Sequence, residues 1–348
     1  MTSKKYILCI ASVLYIIMIV NLAFWHVIVK PIFIGRDLNR LGSFATNKPI
    51  TEDIKYSRHH VRLSDYIASG SRESFDILTI GDSFSSGAYQ DYLVNHYGLK
   101  IINANRYLKN HCLADLYLMC ASGLIDRISP KFVILESVER SVQDRLGREI
   151  IVPDTHSDDV KLPTPQQVTI SDGFMPPVMF QANARYIYNK FYSFLKPGQL
   201  SPEVYITQLD RPFFTNPGQE RILLHYCDDL LYLDSPLNAD RVNQNLNNAA
   251  RILKAKGIKL IFFAAADKYD LYYPYIADKS GRTENPFFTT MREVRGKEYV
   301  FVDTMKPLRE ALERGEKDVY WLNDTHWSHK GIKLVCDELV KYILPESR

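Results

Sequence analysis

Cysteine is scarce in this chain, five residues in 348, with no C-x-x-C pair and no Cys/His array at zinc-finger spacing. That argues against a disulfide-built scaffold and against a structural zinc site. Cys112 and Cys120, the nearest pair beyond the amino terminus, stand eight residues apart on an expected helix, a poor geometry for a bridge. Charge of one sign is also lacking: 43 Lys plus Arg face 40 Asp plus Glu, so no basic surface for nucleic acid is implied. Repeats, heptads and low-complexity tracts are absent, and only one apolar run is long enough to cross a bilayer. A polytopic membrane protein is thereby excluded.

The small charge excess is confined to one place. Residues 1–30 hold Lys4, Lys5 and Lys30 with no acid or Arg, which accounts for the whole formal +3; the rest is balanced. Between those lysines, Tyr6–Val29 is free of formal charge, long enough to span about 30 Å of hydrocarbon as a helix. The run continues through Phe24, Trp25, Val27, Ile28 and Val29 without a small-residue cleavage site, which favours an uncleaved signal anchor over a signal peptide. Lys4 and Lys5 are expected in the cytoplasm and the body on the far side of the cytoplasmic membrane.

Beyond the anchor (1–30), residues 31–72 read as a juxtamembrane stalk. Short apolar runs at 75–80, 99–104, 131–137, 258–266 and 299–304 then alternate with helix-compatible stretches, the pattern of a parallel sheet with crossover helices. The expected helices cover 113–128, 240–256, 307–314 and 329–344. Residues 145–235, rich in proline and aromatics, break this rhythm and read as an insertion bordering the cleft. The core domain is therefore expected over 73–144 and 236–348.

Two segments carry chemistry. Gly81-Asp82-Ser83-Phe84-Ser85 follows the first long run, so that Ser83 leaves a strand at its carboxyl end and enters a helix. Such a serine has its hydroxyl at the sheet rim and helix N–H groups beside it, which suits acyl transfer. Near the other end stands Asn323-Asp324-Thr325-His326-Trp327-Ser328-His329. In an extended loop residues i and i+2 point to one side, so Asp324 can hold the His326 tautomer while the free imidazole nitrogen takes the Ser83 proton. His111 and His329 are expected to be structural or solvated.

G-D-S-F-S after the first strand with a late Asp and His resembles the SGNH (GDSL) hydrolase superfamily. D-T-H-W is similar to the branch related to the alginate O-acetylation proteins, in which Asp and His also stand two apart. The resemblance covers about Asp76–Ile343. It implies an α/β, flavodoxin-like three-layer α/β/α fold with a parallel sheet, here with one amino-terminal transmembrane helix and an inserted aromatic-rich segment. It also implies a catalytic triad of Ser83, His326 and Asp324; no cofactor or metal is expected. Members with one membrane helix are often partners of a membrane-bound O-acyltransferase that brings an acyl group across the membrane, the SGNH domain then moving it onto a polysaccharide, and this layout also resembles that of the teichoic acid D-alanylation protein.

Asp82, Asn105, Arg140, Lys268, Tyr269 and Trp327 are further candidates for oxyanion or substrate contacts. Arg140 follows the third run and could stabilise negative charge. Tyr269, Tyr272, Tyr275 and Trp327 could stack on sugar faces. The function expected is a membrane-anchored O-acyltransferase, most simply O-acetyl, modifying a cell-envelope or secreted polysaccharide. An exported esterase of the same fold and a non-catalytic membrane scaffold are the alternatives.

Overall fold

The computed structural model describes residues 3–33, 36–40, 56–104, 112–148 and 176–344. The candidate Asn105, together with Asn110 and His111, lies outside them, as do residues 149–175 of the expected insertion. The chain divides into two compact units, one made of 1–51, 169–227 and 321–325, the other of 52–168, 228–320 and 326–348.

The larger unit is built on six parallel strands: β1 (Val61–Arg62), β2 (Ile77–Ile80), β3 (Ile101–Asn103), β4 (Phe132–Val138), β7 (Lys259–Ala265) and β8 (Val300–Asp303). Their order is β1-β3-β2-β4-β7-β8, with every neighbouring pair parallel. Without the short edge strand β1, this is the doubly wound order in which the chain turns to opposite sides of its first strand. The crevice opens at the carboxyl ends of the strands flanking that reversal, and β2 is the strand in question. All four residues of β2 are buried, as are six of seven in β4 and in β7. Strands buried on both sides need helices on both sides.

Those helices supply the layers. Ala88–Tyr97, Met305–Glu313 and His329–Ile343 pack together on one side, and Cys112–Ala121, Val142–Leu146 and Ala239–Lys254 on the other. Ala239–Lys254 illustrates the local logic. Val242, Leu246, Ala249, Ala250 and Leu253 form its buried stripe, spaced as a 3.6-residue period requires. Asn238 caps it by accepting the Arg241 N–H, which satisfies one of the free donors of a helix start.

Two expectations are corrected by this unit. The stretch 113–128 is two helices, Cys112–Ala121 and Leu124–Ile128, because Gly123 sits at φ 70° between them, a conformation that ends a helix cheaply only at glycine. The 31–72 stalk is also more structured than its polarity suggests. Val61–Arg62 joins the sheet beside β3 and runs into the helix Leu63–Ser69, whose Leu63 and Tyr66 are buried.

The smaller unit holds the amino-terminal helix Ser3–Phe24, which continues as a π-helical turn over Trp25–Val29. Lys4–Val29 is long and apolar enough to cross a membrane. The unit also contains the helix Pro176–Leu195 and an antiparallel hairpin of β5 (Val204–Gln208) with β6 (Ile222–Tyr226). Within the expected insertion, residues 176–226 are thus a helix followed by a hairpin.

Candidate active site

Ser83 opens a one-turn 3-10 helix, Ser83–Ser85, immediately beyond β2. The turn is held from three directions. The Asp82 carboxylate accepts the Phe84 N–H at 2.9 Å and the Val138 N–H at 2.8 Å, and it pairs with Arg145. Glu136, fully buried in β4, accepts the Asp82 N–H at 2.9 Å and the Ser85 hydroxyl at 2.9 Å. Asn103, at the end of β3, donates to the Ser85 carbonyl at 2.8 Å. The side chain of Ser83 itself is exposed.

Gly81 is required by close approach. A Cβ there would lie 2.4 Å from both Glu136 Oε2 and Ser85 Oγ, well inside van der Waals contact. Glu136 is a carboxylic acid whose pKa stands well above its ordinary value, raised first by burial and then by the negative charge of Asp82. Burial likewise pushes the neighbouring Tyr89 phenol upward. Protonated, Glu136 is a neutral anchor, which removes the cost of an isolated charge in the sheet.

The histidine arrives from the other end of the chain. His326 Nε2 lies 2.8 Å from Ser83 Oγ, across 243 residues of sequence. Its loop is pinned close by: Trp327 bridges Tyr320 in antiparallel fashion, the Ser328 N–H donates to Val319 O at 3.0 Å, and Ser328 caps the final helix. Phe84 joins the two segments, its ring 4.7 Å from the rings of both His326 and Trp327. A serine hydroxyl on an imidazole nitrogen is the first requirement of a nucleophile that gives up its proton on attack.

Asp324, two residues ahead of His326 in the chain, is buried, and its carboxylate lies 3.9 Å from Arg36. The adjoining Thr325 donates its backbone N–H to Asp37 at 2.9 Å.

The remaining candidates fall elsewhere. Arg140 does not reach the serine; its guanidinium pairs with Asp267 and, at 3.0 Å, with Asp229. Lys268 and Tyr269 are buried beside it, and Tyr272 and Tyr275 are buried as well. Trp327, at 3 % exposure, packs on Phe84 and on Phe263. None of these aromatic faces is presented to solvent, so the expected stacking platform is replaced by core packing. Asp82 acts as a brace under the serine turn. Glu139, Asp267 and Asp270 bring carboxylate oxygens within 4.8 Å of one another, but the Arg140 guanidinium already supplies positive charge there.

Glu136, Ser85 and Arg145 were not anticipated. One signal for Glu136 was available: a lone acid inside the apolar run KFVILES of a strand buried on both faces, a position that needs a partner.

Residues 224–347 match the family model described as the SGNH hydrolase-like domain of the acetyltransferase AlgX. No curated protein and no solved structure matches the chain. The matched stretch covers β7, β8, the D-T-H-W loop and the last helix. Together with the parallel α/β sheet, the match over this third of the chain supports an SGNH-like domain similar to the branch of the alginate O-acetylation proteins, and it suggests a hydrolase or acyltransferase type of chemistry.

Proposed function

We propose that the protein is a membrane-anchored O-acyltransferase that moves an acyl group, most simply acetyl, onto a hydroxyl of a cell-envelope or secreted polysaccharide outside the cytoplasm. The observation that carries this reading is the 2.8 Å contact between His326 Nε2 and Ser83 Oγ. Ser83 Oγ attacks the carbonyl carbon of an activated acyl donor while His326 Nε2 takes the hydroxyl proton. The tetrahedral intermediate places its negative oxygen against the Ser83 N–H at the start of the 3-10 turn, since the Phe84 N–H is occupied by Asp82. Collapse expels the leaving group, which receives the proton from His326. A sugar hydroxyl then attacks the acyl-serine, gives its proton to His326, and departs as the ester while Ser83 regains its hydrogen. Asp324 is the carboxylate assigned to orient His326, on the strength of its place two residues upstream.

The apolar segment Lys4–Val29 supports an anchor with its amino terminus in the cytoplasm and the enzyme domain periplasmic or extracytoplasmic. An integral membrane O-acyltransferase supplying the acyl group is the partner this layout suits. The exposed Ser83 side chain favours one second reading, an esterase, because water could accept the acyl group in place of sugar.

The experiment uses the full chain in detergent or nanodiscs with an activated acetyl ester, with and without oligosaccharide. Transfer puts the acetyl group on sugar in an oligosaccharide-dependent manner, and an esterase releases acetate regardless of sugar. No ester turnover and no labelling of Ser83 would leave a scaffold.

A further inference from the structure

The helix Pro176–Leu195 has two unlike sides. One is buried and includes Met179, Ala182 and Asn183. This side meets the distal part of the apolar amino-terminal helix. The Asn183 side-chain amide donates to the Asn21 carbonyl at 3.0 Å and to its side-chain oxygen at 3.3 Å, and the Phe24 and Tyr186 rings meet edge to face at 5.6 Å.

The other side is open and apolar. Phe180, Ile187, Tyr188, Phe191, Phe194 and Leu195 are between 41 and 81 % exposed. At the helical turn per residue they occupy one sector roughly 120° wide, and no charged side chain falls within it. The charged groups stand outside it: Arg185 pairs with Glu203, and Lys190 lies over the Tyr186 ring. Six large apolar side chains on one uninterrupted helical face mark a surface meant to be covered.

Where this helix is attached says what covers it. Asn21 and Phe24 belong to the Lys4–Val29 segment, which is itself apolar and, over most of its length, exposed. At 1.5 Å per residue they stand about 12 and 8 Å inside its distal end. A helix pinned at that depth, aromatic on its free face, with Lys190 outside that face and Lys196 just past its end, has the composition of one lying in the boundary between acyl chains and headgroups. We infer that the open face of Pro176–Leu195 is immersed in the lipid bilayer, so that the protein engages the membrane with two helices, one crossing and one interfacial. This rests on reading Lys4–Val29 as the membrane anchor.

The test places a solvatochromic amino acid by stop-codon suppression at Ile187, Phe191 or Phe194 of the full chain, with Val13 in the span and Arg241 on the exposed side of Ala239–Lys254 as references. The proteins are reconstituted in phosphatidylcholine–phosphatidylglycerol vesicles with and without lipids carrying a doxyl quencher just below the headgroup. The expected result is blue-shifted emission at positions 187, 191 and 194, most of it lost to the doxyl lipids, with water-like, unquenched emission at 241. Water-like emission at the three positions while Val13 is quenched would overturn the inference and leave the anchor standing. Emission shielded from water yet insensitive to doxyl lipid would overturn it in favour of a protein occupant. Absence of quenching at Val13 as well would overturn the anchor and the inference together.

Discussion

Strand β4 and the 3-10 turn Glu139–Ser141 that follows it deliver two carboxylic acids three residues apart into two polar clusters that look alike in composition and differ in use. Glu136 sits under the serine turn with Asp82, Ser85 and Arg145 around it. Glu139 accepts the Asp267 N–H at 3.0 Å in a cluster with Arg140, Asp229 and Asp270. Both glutamates are pushed well above the ordinary carboxylate range, first by burial and then by neighbouring acids, Asp82 for Glu136, Asp270 and Asp267 for Glu139. Strongly shifted acids are a recognised mark of active sites, yet here the mark appears twice. What separates the two is access. The first cluster ends in the exposed hydroxyl of Ser83 with an imidazole on it, whereas Glu139, Asp229, Asp267, Lys268 and Asp270 are all buried. A shifted pKa reports a cost of burial, and only a reactive atom open to substrate turns that cost into a site.

The contrast can be broken most sharply at its ends. Ser83→Ala is expected to lower acyl transfer by about 10⁴-fold or more while leaving thermal unfolding nearly unchanged, because the lost hydroxyl is exposed. Retained transfer measured with the ester assay would refute the nucleophile. Asp324→Asn is expected to cost about 10²–10⁴-fold in kcat through loss of the His326 tautomer, with the protein still folded; an unchanged kcat would remove Asp324 from the triad.

In the second cluster the order of effects reverses. Arg140→Met strands Asp229 and Asp267 without their cation and is expected to cost about 3–5 kcal/mol of stability, read by denaturant titration. A loss below about 1 kcal/mol would mean that the buried acids are neutral without it. Gly81→Ala drives a Cβ into Glu136 and Ser85 and is expected to cost about 1–3 kcal/mol together with activity, since the serine turn must shift.

The smallest effect sharpens the comparison furthest. Glu136 has a folded pKa above the value of about 4.3 in an unfolded chain. Its contribution is therefore complete below that unfolded value and declines as pH rises toward the folded one. Glu136→Gln keeps the acceptor and removes the ionisation. At pH 4 it is expected to lie within about 1 kcal/mol of the parent. As pH rises it should gain on the parent by up to about 1.4 kcal/mol per unit. Parallel stability curves would show that Glu136 is ionised in the folded state.

Much of the core was legible because its strands are buried on both faces. ILTI, FVILESV and KLIFFAA carry that burial as unbroken or nearly unbroken apolar runs. Val61–Arg62 gave no such run and joins the sheet only because β3 offers a free edge. The stacking platform expected from Tyr269 and Trp327 failed for a related reason, since an aromatic residue reads the same whether it faces sugar or core. Their burial depends on what surrounds them in space.

The sequence by itself determined where the apolar span lies, which strands are fully covered, and which serine and histidine carry the motif, since these depend on residue type and short spacing. Only the tertiary structure decided which polar groups brace the nucleophile and which are architectural. Asp82 meets Glu136 and Arg145 across 54 and 63 residues, and Arg140 meets Asp229 and Asp267 across 89 and 127. Such partners are chosen by sheet order and crossover geometry, which bring distant segments to one rim, and no local pattern in the chain encodes them.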